Sequence, residues 1–263
     1  MIERPDRLVL TGKKTVMSIQ REPTFIAAAP ALLLYCGDAH KASKVGTILF
    51  YHGFGGSKED YLPELTALAE AGFLAIGLDN VGHGERRLPD FEARVGSQPP
   101  GPDLEAALLT LVRATAQEVP KVVDTLIGRD LATPEHVGIA GWSMGGFIAY
   151  AAVVADPRLR VAVPIVGSPE WRLPWPDSPH RYPERFFPVA LLSQTAHDDV
   201  RVSPHFARTF HQLLEPYYAS APKRLCYIEY KNADHAVTAM VRQKMQQKMV
   251  DWFKHHLNTM AVP

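Results

Sequence analysis

The chain has 263 residues, 46% of them hydrophobic, and its 28 lysines and arginines balance 28 aspartates and glutamates. That length and apolar content support a sizeable core in one domain, and the neutral balance excludes the basic footprint of a nucleic-acid binder or of a protein drawn to an anionic membrane. No stretch approaches the roughly 18 apolar residues of a membrane span, and Glu3, Arg4, Asp6, Arg7, Lys13 and Lys14 interrupt any apolar run that a secretory signal would need, so a cytoplasmic protein is expected.

In chain order, residues 8–11 and 15–20 have no helix between them and predict an antiparallel hairpin at a sheet edge. Strand-length apolar runs follow at 31–35, 47–51, 73–78, 137–140, 161–166, 189–193 and 225–230. Helical periodicity separates most of them, which predicts an α/β fold with a mostly parallel sheet covered on both faces. Ser57 followed by Asp60 approximates a capping box, with Tyr61, Leu65 and Leu68 on one helical face and Gly72 at the end. A long helical region over 103–127 is interrupted by Pro120, which is expected to kink or divide it. The last segment, 238–257, places Val241, Met245, Met249 and Trp252 along one core-facing stripe.

Two stretches break this rhythm. Residues 80–102 form a loop rich in glycine, proline and charge; residues 168–188 pack six prolines with Trp171, Trp175, Tyr182, Phe186 and Phe187. Long loops in compact domains are commonly functional, and the second is expected to roof an apolar pocket through Trp171, Trp175 and Phe186. An ordinary surface excursion packed on the core is the other reading of this stretch. Cys36 and Cys226 match no metal or redox spacing and read as buried thiols.

The chemistry is carried by Gly141-Trp142-Ser143-Met144-Gly145, a G-x-S-x-G turn between a strand and a helix. A serine hydroxyl needs a base, and the base needs an acid to orient it. His235 lies beyond the 225–230 strand and before the last helix, at the carboxyl edge of the sheet. After the strand at 189–193, Asp198 and Asp199 occupy a turn at the same edge; Asp198 is assigned as the acid, and Asp199 is the alternative because a one-residue shift would exchange them. His52-Gly53-Phe54-Gly55-Gly56 places backbone N–H groups beside the serine, and those of Phe54 and Met144 are the natural pair for an oxyanion. His52 and His83 read as structural, and no phosphate-binding glycine motif is present.

These pieces resemble the α/β-hydrolase superfamily, and more narrowly small bacterial esterases related to dienelactone hydrolases and to prolyl oligopeptidase catalytic domains. The carrying segments are His52 to Glu59, Asp79-Asn80-Val81-Gly82-His83-Gly84, Gly141 to Gly146, the turn around Asp198, and Asp234-His235. The resemblance implies an eight-stranded sheet, a Ser143-His235-Asp198 triad, no metal and no organic cofactor. Members often have glycine where Thr195 stands, a departure that bears on the choice between Asp198 and Asp199. The expectation is a serine esterase for small carboxylic esters. A peptidase for short peptides is the enzymatic alternative, a noncatalytic binding protein the other, and homo-oligomerisation is left open.

Overall fold

Residues Thr-Ile-Leu-Phe-Tyr at 47–51 are all buried in the computed structural model, which describes residues 18–173 and 175–257. This strand presents Ile48 and Phe50 to one layer of core, Leu49 and Tyr51 to the other, as a strand covered on both faces must. In chain order the strands are β1 (Ile19–Ile26), β2 (Ala29–Cys36), β3 (Thr47–Tyr51), β4 (Leu74–Leu78), β5 (Val137–Trp142), β6 (Leu159–Ile165), β7 (Ala190–Ala196) and β8 (Leu225–Tyr230). They form one sheet in the order β1-β2-β4-β3-β5-β6-β7-β8. The β1/β2 and β2/β4 pairs are antiparallel, and every pair from β4/β3 to β7/β8 is parallel.

Six α-helices accompany the described sheet: α1 (Ala39–Val45), α2 (Leu62–Glu70), α3 (Pro102–Gly128), α4 (Met144–Ala155), α5 (Pro204–Leu214) and α6 (Ala239–Leu257). On one face α3 supplies Val112, Val119 and Val123, α4 supplies Ile148 and Ala152, and α5 supplies Phe210. On the other face α2 supplies Leu65 and Leu68, and α6 supplies Met245, Met249 and Phe253. The expected mostly parallel eight-stranded sheet with helices on both faces is therefore present. Among the described residues no helix is long and apolar enough to cross a membrane.

Several local expectations are corrected. The hairpin expected at 8–11 and 15–20 lies almost wholly outside the described residues, and the hairpin at the edge is β1 with β2. β1 carries Pro23, which an edge strand accommodates although the residue cannot donate to the ladder. Pro120 does not divide α3, whose 27 residues run without a break. The buried stripe Leu109, Val112, Ala116, Val119, Val123 and Leu126 outweighs the roughly 3 kcal/mol that an interior proline costs a helix. Both cysteines are free and half-buried rather than buried.

Candidate active site

The turn from β5 into α4 shows why its glycines are required. A Cβ on Gly141 would collide with the carbonyl of Gly145, and one on Gly145 with the carbonyl of Tyr51 in β3. The close approach of these backbones forces Ser143 into a left-handed conformation, φ 54° and ψ −112°, which a non-glycine residue adopts only under strain. That strain is held by the Ser143 N–H, which donates to Ile165 O at 2.8 Å, and by the Ser143 carbonyl, which accepts from Gly146 N at 2.7 Å. The serine is thus presented at the carboxyl edge of the sheet.

There its Oγ lies 2.8 Å from His235 Nε2. His235 Nδ1 lies 2.7 Å from Oδ2 of Asp199, whose side chain is 1% exposed. The other oxygen of Asp199 accepts from the N–H groups of Arg201 and Val202 at 2.9 and 2.8 Å. Two backbone donors therefore hold this carboxylate facing the imidazole. The expectation for Asp198 is corrected: its side chain is exposed, and the residue contributes only a backbone N–H to Ala233 O, 2.8 Å. The physical reason is the length of β7, which runs to Ala196 instead of stopping at 193; the inward position of the turn then falls one residue later. Asp234 is occupied locally, accepting from Ala236 N at 3.0 Å.

The loop after β3 is pinned at Gly53. Its carbonyl accepts from His52 Nδ1 at 2.7 Å and from Gly56 N at 3.3 Å, and its N–H donates to the Tyr61 hydroxyl at 3.1 Å. The tautomer of His52 follows from its other nitrogen, since Nε2 accepts from Asn80 N at 3.0 Å; the proton is on Nδ1. Burial lowers the His52 pKa to about 4, so the ring stays neutral and keeps both bonds at neutral pH. Because a trans peptide points its C=O and N–H to opposite sides, anchoring the Gly53 carbonyl turns the Phe54 N–H the other way. Among the described residues neither the Phe54 nor the Met144 N–H has an acceptor; Met144 is the first residue of α4, where helical donors are left over. The Phe54 ring packs on His83 and on Phe91 from the 80–102 segment, with centroids 5.6 Å apart in both cases. Arg87 of that segment donates to Gly55 O at 3.2 Å.

The aromatic segment at 168–188 is corrected in part. Phe186 is fully buried between Tyr150 and Phe210, at 6.4 and 4.8 Å, so it is a core side chain and no substrate contact. Trp171 is 4% exposed and meets half-buried Trp175 edge-on at 6.0 Å. It borders a cavity of about 250 Å³ between α3, α4 and this segment, lined also by Arg113, Ala151, Val154 and Tyr182. Neither Ser143, Asp199 nor His235 lines that cavity.

Sequence reasoning missed two supports. Lys58 and Asp79 form a buried ion pair, 2.9 Å, that joins the start of the 3-10 turn Lys58–Tyr61 to the end of β4. The signal for it was the position of each charge beside a glycine-bearing turn. Glu229 accepts from Arg208 and Tyr227 behind the acid loop; burial raises its pKa, but the Arg208, Tyr227 and His197 bonds outweigh this and hold it at about 2.

Residues 48–254 match the alpha/beta hydrolase family. YitV of Bacillus subtilis (strain 168), whose name marks it as a proposed esterase, is 25% identical over 91% of this chain and 100% of its own length. Among solved structures, TT1662 from Thermus thermophilus superposes with a TM-score of 0.73 at 23% identity, covering 92% of this chain and 99% of that one. A Klebsiella pneumoniae protein described as a proposed dienelactone hydrolase gives 0.68 at 19% identity, covering 90% and 98%. With a family match across most of its length and the corresponding sheet order, the chain belongs to the alpha/beta hydrolase family.

Proposed function

We propose that the chain is a serine hydrolase that cleaves small carboxylic esters through Ser143, His235 and Asp199. The observation that carries this reading is the relay itself: Ser143 Oγ is 2.8 Å from His235 Nε2, and Nδ1 of the same ring is 2.7 Å from a carboxylate shut off from solvent. His235 takes the proton of Ser143 as its oxygen attacks the acyl carbon, and Asp199 steadies the imidazolium. The N–H groups of Phe54 and Met144 receive the oxyanion. His235 then protonates the departing alcohol, and a water deprotonated by the same ring releases the acid and restores Ser143. The name of YitV supports an ester rather than an amide as substrate.

The test is a series of p-nitrophenyl acyl esters of increasing chain length beside aminoacyl naphthylamides, with a fluorophosphonate probe. Ester turnover and labelling are expected in the wild type and absent in Ser143→Ala. Turnover of amides alone would overturn the ester assignment, and folded wild type that neither labels nor turns over would overturn the enzyme.

A further inference from the structure

The Gly53 N–H is not free to serve the oxyanion, because Tyr61 takes it. The hydroxyl of Tyr61 accepts that N–H at 3.1 Å. A point at the position of a Gly53 Cβ would lie 2.8 Å from the Tyr61 oxygen and 3.8 Å from Ser143 Cβ, so Gly53 lies between the phenol and the nucleophile's side of the site with no room for a side chain. Its ring packs on Phe50 of β3 at 5.3 Å and on Trp142, the residue before Ser143, at 6.4 Å.

Above both rings lies the guanidinium of Arg242, 5.2 Å from the Tyr61 centroid and 5.3 Å from that of Trp142, within the range of cation–π attraction. The same guanidinium makes a two-pronged bond to Glu64, 2.6 and 3.0 Å, and the Glu64 side chain is 0% exposed. Glu64 is in the first turn of α2 and Arg242 in the first turn of α6, the helix that follows the His235 loop. One fork therefore ties together α2, the last residue of β5, the start of α6 and the aromatic ring that holds the oxyanion loop.

We propose that Tyr61 is a positioning residue for the oxyanion site, fixed in place by the Arg242–Glu64 pair. This rests on the esterase reading of Ser143. With its N–H held by Tyr61 and its carbonyl by His52 and Gly56, residue 53 has one orientation, in which the next N–H, that of Phe54, faces the reacting carbonyl. Without the hydroxyl, the Gly53 N–H is an unsatisfied donor, and the 52–53 peptide keeps only the bond from Asn80 Nδ2 to the His52 carbonyl, 2.9 Å, so the turn that aims the Phe54 N–H is held less tightly. Since the oxyanion forms only as the ester reacts, the effect falls on the transition state and not on substrate binding.

The test is Tyr61→Phe, which keeps the ring, its packing and its contact with Arg242, assayed on p-nitrophenyl acetate and with a trifluoromethyl ketone whose serine adduct places an oxyanion in the same site. The expected result is a kcat lower by about tenfold with KM unchanged, an inhibition constant for the ketone weaker by the same factor, and a melting temperature lower by only a few degrees, the cost of the unpaired donor. Arg242→Lys, which leaves Glu64 with a cation but removes the fork, is expected to lower kcat in the same sense. An unchanged kcat in Tyr61→Phe, or a lower kcat with undiminished ketone affinity, would overturn the proposal. Failure of the wild type to turn over any ester or to label with the fluorophosphonate would strike the enzymatic reading instead.

Discussion

Lys58 and Asp79 form an ion pair from which solvent is shut out: Nζ is 2.9 Å from Oδ2, and the two side chains are 1% and 0% exposed. Asp79 also accepts from the N–H groups of Lys58 and Glu85, both at 2.9 Å. Burial raises the Asp79 pKa, but the bonds from Glu85 and Lys58 outweigh it and the net displacement is downward. Lys58→Met leaves a buried carboxylate with no cation, a change that costs about 3 to 5 kcal/mol. The expected melting temperature is lower by about 10 °C, read by calorimetry at neutral pH. The sign with pH follows from the depressed carboxylate: its contribution is full above the ordinary value near 3.8 and is lost as pH falls through the folded value. The penalty of Lys58→Met should therefore shrink in acid.

Asp199 and Asp198 separate cleanly in kinetics. Asp199→Asn is expected to lower kcat by on the order of 10⁴, because the amide no longer holds the imidazole in its working tautomer. Asp198→Asn alters only an exposed side chain and should stay within about twofold of wild type. Stopped-flow or steady-state assays on one ester distinguish the two; equal losses would contradict the assignment.

Ser143→Gly should raise stability while abolishing labelling. At φ 54° the serine carries strain that glycine does not, typically about 1 to 3 kcal/mol, against which glycine costs about 0.5 to 1 kcal/mol of unfolded-state entropy. A melting temperature higher by about 2 to 4 °C is expected, measured beside Ser143→Ala, which keeps the strained backbone.

His52 and His211 make folding sensitive to mild acid. Burial lowers their pKa values from 6.5 to about 4 and about 3. Between those values and 6.5 the unfolded chain binds protons that the folded chain refuses, so stability rises with pH across this window and is complete above 6.5. From pH 6.5 to 5 each ring accounts for a loss of about 2 kcal/mol. Urea midpoints measured at pH 7, 6 and 5 should fall, and His52→Gln should flatten the slope; an unaltered slope would contradict the buried neutral ring.

What the sequence disclosed was the part of the site governed by short-range geometry. Ser143 between two glycines, His235 after a strand and the Gly53–Phe54 turn each carry their reason within a few residues. The acid slipped by one because the end of β7 is set by pairing with β8, up to Ala196 with Tyr230, which no local pattern displays. Phe186 misled because burial in a core and burial around a ligand demand the same side chains. The Arg242–Glu64 fork joins residues 178 positions apart, and nothing in either neighbourhood points to the other.

The acid loop and the histidine loop are stitched by their backbones, His197 N to Tyr230 O at 3.0 Å and Asp198 N to Ala233 O at 2.8 Å. Asp199 and His235 are consequently joined by two backbone hydrogen bonds between their loops as well as by their own side chains. At the opposite rim, Phe91 and Arg87 reach Phe54 and Gly55 through side chains, and among the described residues no backbone hydrogen bond joins segment 84–96 to that loop. Substitutions in residues 84–96 are therefore expected to leave the Asp199–His235 pairing intact, whereas a change in either of the stitched loops moves both partners of the relay.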